Sequence, residues 1–353
     1  MKVFIYVFLA LVLTIRIFSF SYNYPEGQRI RIRGQVLNDP VVYDNVRYIK
    51  IKGLSSYINL FPEVNYGDYV VLEGEVQGNK LKKAQIIEVS RGGGIFNLRE
   101  KILGLIKSAL PEPHSSLVGG IVLGSKAGMP EDFWEALKAT GTAHVVVASG
   151  TNVSFVISFI VNLLCEIINR RKAIVLGIVG AWVYVVLSGF EAPLARAAIM
   201  GSIAFGAQAM GRITSSIQAL LLSAWVMLIL KPEWINDIGF ALSFIATLSL
   251  ILFESKVSRL LSKIPLILRK DFSTSVAAQI GVGPLIFFTF GSFNILSPFI
   301  NALVLWTIPP IMVLGAAASI LGLIFTGAGK TILYLVYPFT WWFKNIIELF
   351  SRY

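Results

Sequence analysis

Polar residues interrupt an apolar stretch at residues 140–160, TGTAHVVVASGTNVSFVISFI. They include His144, Ser149, Thr151 and Asn152, whose side chains form hydrogen bonds, and Gly150, whose backbone is easily bent. Lipid cannot satisfy such groups, and a broken backbone is tolerated at membrane depth only inside protein or beside water. Glycine loosens the backbone, and Ser, Thr or Asn can cap the helix that follows. Residues 149–152 are therefore predicted to break a helix and, with His144, to line a polar passage.

Three further polar residues of the apolar region are predicted to line the same passage. Arg196 could contact a phosphate, or instead reach the interface or pair with Glu191. Asp237 could simply cap the helix that follows it, and Gln279 could hydrogen-bond between helices. These structural alternatives stay open at this stage.

Covalent chemistry is not indicated. His144 and Ser149 are five positions apart, so on a helix they diverge by about 140°. With two histidines and one cysteine, Cys165, the chain has no intramolecular disulfide and no thiolate metal cluster. There is no P-loop. We expect no enzyme activity, metal or cofactor.

Residues 27–91 have the short alternating runs of β-strands, with candidates RIRIRGQVL, VRYIKIKGL, DYVVLEGEVQ and LKKAQIIEV. The pattern favours a small all-β OB-like barrel. Alternation places Arg29, Arg31 and Arg33 on one face, as a solvated surface or as a DNA-binding track. Four tyrosines could stack bases, namely Tyr43, Tyr48, Tyr57 and Tyr66, and Tyr48 joins the arginines as a predicted DNA-binding residue.

The remainder is membrane protein in character, because 55% of the chain is hydrophobic and only 14% is charged. Residues 1–22 are predicted to form an N-terminal transmembrane helix. Residues 95–353 are predicted to form an all-α polytopic bundle, which gives about eight to nine spans in total with broken or re-entrant helices. SSLVGGIVLGSKAGMP is too short to span and is predicted to be re-entrant or buried.

The distribution of charge predicts the topology. Arg170, Arg171 and Lys172 share one connection, whereas the turns SGFEAP and KPEWIND are mainly acidic. Basic connections are cytoplasmic by the positive-inside rule. We therefore expect a multi-pass protein of the cytoplasmic membrane with its OB-like domain on the external side.

Four segments, in order and spacing, resemble the ComEC family of competence DNA channels. They are LGSKAGMPEDFWEALKATGTAHVVVASGTNVSFV, GFEAPLARAAIM, NDIGFALSFIATLSL and QIGVGPLIFFTFGSFNILSPFINAL. The resemblance implies an OB-like domain before a helical core, and a channel for single-stranded DNA during natural transformation. Where the family commonly has Ser-Gly-Leu-His, this chain has Ser149, Gly150, Thr151 and Asn152.

The resemblance also implies partners. Larger members continue into a metallo-β-lactamase-like domain, and the short form here would need a separate nuclease, DNA receptor and cytoplasmic ATPase or DNA-binding proteins. Two alternatives remain, a transporter of a smaller anionic or lipid-linked solute and a non-conducting scaffold. DNA binding by the OB-like domain would separate the channel from the transporter.

Overall fold

The structure is a computed structural model. It describes residues 24–43, 46–147, 149–263, 265–290 and 294–351, together with Thr14 and Arg16. The transmembrane helix predicted over residues 1–22 lies outside the described residues apart from these two.

The N-terminal domain is a six-stranded sheet. Its strands are β1 (Arg29–Gln35), β2 (Val41–Tyr43), β3 (Val46–Ile51), β4 (Leu54–Asn59), β5 (Tyr69–Gln77) and β6 (Lys80–Ser90). The spatial order is β1-β5-β6-β4-β3-β2. The pairs are antiparallel except β4 with β6, which run parallel with Ser55 opposite Lys80. The inward residues form a separate apolar core that includes Val36, Ile49, Ile58 and Val70.

A tight turn interrupts the predicted strand VRYIKIKGL after β3, and its last residue, Leu54, begins β4. Lys52 and Gly53 have φ values of 44° and 82°. Positive φ at both central residues is typical of the two-residue turn that joins antiparallel strands. The chain therefore reverses at Lys52 and returns as β4, a strand that the sequence did not predict because two serines weaken its β signal.

The helices follow a linker containing Gly92, Gly93 and Gly94. They are α1 (Ile95–Ala109), α2 (His114–Leu123), α3 (Glu131–Ala139), α4 (Ala143–Val146), α5 (Gly150–Cys165), α6 (Arg170–Leu187), α7 (Ala192–Ala209), α8 (Ser216–Leu230), α9 (Ile238–Leu260), α10 (Leu266–Phe290), α11 (Ser297–Val304), α12 (Ile308–Ile324) and α13 (Thr326–Phe350). Two 3-10 turns, Pro232–Asn236 and Leu305–Thr307, precede α9 and α12.

Four apolar helical segments of the described chain are long enough to cross a membrane: Ala143–Cys165, Ile238–Leu260, Arg269–Thr289 and Ser297–Ile324. The structure thus has a membrane-type helical part and a β-domain, and the number of eight to nine spans stays a prediction. Every residue of α2 is buried, which confirms the buried segment predicted there. One apolar core joins α1, α2, α12 and α13, and another joins α5, α6 and α7.

A buried ion pair joins the two domains. Arg99 of α1 is only 2% exposed, and its Nη2 lies 2.7 and 2.8 Å from the two carboxylate oxygens of Asp39. Its Nη1 donates to the carbonyl oxygens of Leu123 and Leu187, at the ends of α2 and α6. Asp39 also accepts a hydrogen bond from the backbone N–H of Lys126. The cation thus satisfies carbonyls that helix ends leave unpaired, where positive charge is favoured.

Tyr66 reinforces the same junction. Its ring lies under the Arg99 guanidinium, 4.8 Å from ring centroid to Cζ, and its hydroxyl donates to the carbonyl oxygen of Val186. Burial raises the pKa of Tyr66 to about 12, so the hydroxyl keeps its proton and stays a donor at neutral pH. The β-domain is therefore held against the C-terminal ends of α2 and α6.

We predict that Arg99→Met separates the two domains. Removing one partner of a buried pair leaves the other uncompensated and costs about 3–5 kcal/mol. Thermal unfolding of the detergent-solubilised protein should shift down, and a protease should cleave the linker at residues 92–94. Arg29→Met is the matched control, because the Arg29–Glu73 pair is exposed and such pairs contribute about 1 kcal/mol or less. Equal stability of the two variants would contradict this account of the junction.

Candidate functional site

The apolar segment Ala143–Cys165 is broken in the structure. α4 ends at Val146, Val147 and Ser149 have extended backbones, and α5 begins at Gly150. Ser149 occupies the N-cap position, but its hydroxyl donates to the side-chain oxygen of Asn152 and caps no backbone N–H. The predicted break is present, and the first turn of α5 has no side-chain cap, although the Asn152 N–H donates to the Ser149 carbonyl oxygen.

Asn152 lies inside the protein. Its side chain is 1% exposed, and its amide nitrogen donates to the carbonyl oxygen of Ile121 at 3.1 Å and approaches the Tyr184 hydroxyl at 3.5 Å. With the bond from Ser149, its amide is paired at both ends within the protein. The side chain therefore joins α5 to α2 and α6, and its channel-lining role stays a prediction.

Arg196 lies beside the start of α5. A Cβ on Gly150 would come 2.9 Å from Arg196 Nη2, so the guanidinium lies directly against the first residue of α5. The Nε atom of Arg196 is buried without a hydrogen-bond partner among the described residues. The predicted pairing with Glu191 is absent, because Glu191 pairs with Lys126 at 3.2 Å. A cation and a helix N-terminus thus share one small region, an arrangement that suits an anion.

The other predicted lining residues are distributed over the helical domain. His144 and Thr151 are exposed near the break, and His144 Nδ1 lies 3.0 Å from the carbonyl oxygen of Gly141. The Asp237 carboxylate accepts a hydrogen bond from the Phe240 N–H at 2.8 Å, which confirms the capping role considered for it. Gln279 of α10 borders an open crevice of about 430 Å³ with Gly283, Pro284, Phe287 and Phe288. The lining roles of Asp237 and Gln279 stay predictions.

The arginine face of β1 is exposed as alternation predicted, but it is partly neutralised. Arg29 and Arg31 both pair with Glu73 of β5, at 2.9 and 3.2 Å. Arg33 is exposed and has no ion-pair partner in the described chain. Because of Glu73, the three arginines do not form the uniform cationic track that the sequence pattern favoured. Their roles in DNA binding stay predictions.

Tyr48 belongs to a different part of the sheet, since β5, β6 and β4 separate its strand from β1 in the strand order. It lies directly opposite Tyr57, with ring centroids 5.5 Å apart, and its hydroxyl is 3.1 Å from that of Ser55. Lys50 on the same strand and Lys80 opposite Ser55 are exposed. Sequence reasoning did not group these residues, because the parallel pairing of β4 with β6 brings them together.

The junction residues were also missed. Neither Arg99 nor Asp39 was among the predicted site residues. Arg99 contacts Asp39, Leu123 and Leu187, which lie 60, 24 and 88 positions away in sequence, so no local pattern indicated these contacts. The one signal in the sequence was that Arg99 lies on a helix face that is otherwise apolar.

Comparison with known proteins decides the family. A family profile described as "Competence protein" matches residues 121–353, more than half of the chain. This chain belongs to the ComEC family of competence proteins. It is 26% identical over 228 residues to ComE operon protein 3 of Bacillus subtilis (strain 168), a match covering 64% of this chain and 29% of that protein. It is also 26% identical over 227 residues to competence protein ComA of Neisseria gonorrhoeae, covering 57% and 30%.

The chain thus spans about 30% of the length of these ComEC-family relatives. No solved structure matches it. The family profile includes α5, the break before it and Arg196, whereas the β-domain precedes the matched residues. Within the described residues, no group of three or more His, Cys, Asp or Glu side chains is placed to hold a metal.

We predict that Asn152→Leu destabilises the protein, because it leaves the buried carbonyl of Ile121 without its donor, at a cost of about 1–3 kcal/mol. Asn162→Leu is the matched control on the same helix, since Asn162 is exposed. Thermal unfolding in detergent should separate the two variants. If Asn152→Leu and Asn162→Leu unfold at the wild-type temperature, Asn152 does not hold α5 in place.

Proposed function

We propose that this chain is an inner-membrane channel that passes single-stranded DNA into the cytoplasm during natural transformation. The observation that carries the proposal is Arg196, a half-buried cation with a buried, unpaired Nε and no acidic partner in the described chain, beside the N-terminus of a helix broken within an apolar segment. A buried charge without a partner costs stability. A phosphate passing the break would supply the missing partner.

The β-domain supports the choice of substrate. Taken as one interrupted strand, β1 and β2 pair with β5 and β3 respectively, and the parallel pair β4–β6 joins the two halves of the sheet. This connectivity supports an OB-like barrel, a fold whose second and third strands bind oligonucleotides in many proteins. Here those strands are β3 and β4, which carry the Tyr48–Tyr57 pair. Aromatic rings flanked by Lys50 and Lys80 suit stacked bases and a phosphate backbone.

Docking of the β-domain supports the external placement. The domain contacts the C-terminal end of α6 through Tyr66 and Arg99, whereas Arg170, Arg171 and Lys172 lie at its N-terminal end. An 18-residue helix is about 27 Å long. If the basic end is cytoplasmic, the β-domain is external. α5 begins on the side of the β-domain, because Asn152 contacts Ile121 close to the Arg99 junction.

The mechanism requires no covalent step. The β-domain captures the strand, the break delivers it to α5, and hydrogen bonds with the Arg196 cation replace water around phosphates. We propose as partners a DNA receptor, a nuclease and a cytoplasmic ATPase or DNA-binding proteins.

We predict that Arg196→Leu abolishes DNA entry while leaving the fold intact. The substitution removes an unpaired charge, so the unfolding temperature should stay equal or rise, whereas DNase-protected DNA in a transformable host should fall about tenfold or more. Arg196→Lys should restore part of the uptake if charge alone suffices, and none if the planar fork is needed. Arg212→Leu, at an exposed position, is the control. Normal uptake by Arg196→Leu at wild-type protein levels would refute the proposal.

We predict unequal contributions of the strand arginines to DNA binding. The full-length protein in lipid nanodiscs should bind single-stranded DNA with affinity that falls as salt rises. Arg33→Gln should reduce the slope of log affinity against log salt by about 0.7, because Arg33 is free to neutralise one phosphate. Arg31→Gln should reduce it less, since Glu73 already neutralises Arg31. Equal slopes for the two variants would mean that the Glu73 pairs do not persist with DNA.

A further inference from the structure

The exposed face of α5 is polar along most of its length. Thr151, Ser154, Ser158 and Asn162 follow the spacing i, i+3, i+7, i+11, which places them within an arc of about 80°. Thr151, Ser154 and Asn162 are exposed and Ser158 is half-buried. The opposite face is apolar and buried, with Val153, Ile157 and Val161 packed against α6 and α7.

This polar face lacks protein partners. No side-chain hydrogen bond joins Thr151, Ser158 or Asn162 to another described residue, and Ser154 bonds only to the Gly150 carbonyl one turn earlier. In a membrane, uncovered polar side chains are expected to face the interior of a bundle, another helix or water, and not lipid.

Two aromatic rings border the polar face. Phe155 and Phe159 are nearly parallel, with centroids 6.2 Å apart and planes inclined by 17°. With Ser158, Asn162 and Leu163 they line an open crevice of about 320 Å³. Close helix packing in membranes uses small side chains that let backbones approach. Two phenylalanines beside the polar residues oppose such an approach by a second helix, and therefore favour a passage.

The charges at the two ends of α5 identify the occupant. Arg196 lies beside Gly150 at the beginning of α5. At the other end, the single acid Glu166 is followed by Arg170, Arg171 and Lys172, so the net charge there is also positive. The face between them carries no charged side chain from Thr151 to Leu164. Positive groups at both ends of a neutral, polar and aromatic surface fit a polyanion whose bases present flat rings.

We propose that this face of α5 is the track along which single-stranded DNA crosses the membrane, with Ser158 and Asn162 hydrogen-bonding to the strand and Phe159 stacking on its bases. This inference rests on the proposed DNA-channel function. It adds contacts of the strand with Phe155, Ser158, Phe159 and Asn162, which follow the break before Gly150 in the sequence.

Cysteine labelling tests whether the face lines water. Cys165 is the only cysteine, so Cys165→Ser gives a background for single substitutions in the full-length protein. A membrane-impermeant charged methanethiosulfonate should modify Ser158→Cys and Asn162→Cys. Val179→Cys on α6 should stay unmodified, because Val179 is an exposed residue of an apolar surface. A single-stranded thymidine oligonucleotide should slow labelling at both α5 positions about fivefold or more.

DNA uptake tests the contacts themselves. The double variant Ser158→Leu, Asn162→Leu should lower uptake of DNase-protected DNA about tenfold at wild-type protein levels. Phe159→Ala should lower uptake similarly, because it removes the ring that stacks on the bases. Phe159→Trp should keep uptake near the wild-type level. Phe159→Leu fills space without an aromatic ring and should not.

The outcomes separate the two proposals. Unreactive cysteines at 158 and 162 would mean that lipid or a second copy covers the face, and would overturn the track. Reactive cysteines without protection by DNA, or normal uptake by the double leucine variant, would also overturn it. Normal uptake in a strain from which the gene is deleted would instead refute the DNA-channel function.

Discussion

The buried Arg99–Asp39 pair is the contact on which the arrangement of the two domains depends. Neither group could be buried alone, because an isolated charge at low dielectric is strongly disfavoured. Arg99 also saturates the carbonyl groups at the ends of α2 and α6, so the same cation closes two helices and anchors the β-domain. Arg99 of α1 therefore determines where the β-domain lies relative to the start of α5.

Asn152 and Asn162 illustrate how one helix uses the same side chain in two ways. Asn152 faces α2 and α6, and its amide is satisfied within the protein. Asn162, ten positions later, lies on the open face and has no partner in the described chain. The first joins α5 to its neighbours, and the second contributes no hydrogen bond to the packing of α5 within the described chain. A leucine substitution is therefore expected to lower stability at position 152 and to leave it unchanged at position 162.

Local patterns in the sequence predicted the elements that local forces determine. Alternation predicted β1 and its exposed arginines, glycine and short polar residues predicted the break before α5, and the short glycine-rich segment predicted the burial of α2. Contacts between distant residues were not predictable in this way. The Arg99 junction joins residues from four segments, and the neutralisation of Arg31 by Glu73 depends on strand register. The place of Asn152 depends on the rotation of α5 against its neighbours, which the residues 149–152 alone do not determine.

The distribution of charge along α5 has a consequence for transport of a polyanion. A passage conducts only when binding is favourable enough for entry and weak enough for release. Arg196 lies beside the start of α5, neutral Ser, Asn and Phe side chains follow, and Glu166 precedes Arg170, Arg171 and Lys172 at the other end. A row of arginines along the face would bind each phosphate strongly and hold the strand. In the proposed channel, neutral contacts repeated at each turn would instead offer many weak and similar sites, along which a strand could advance toward the basic connection at residues 170–172.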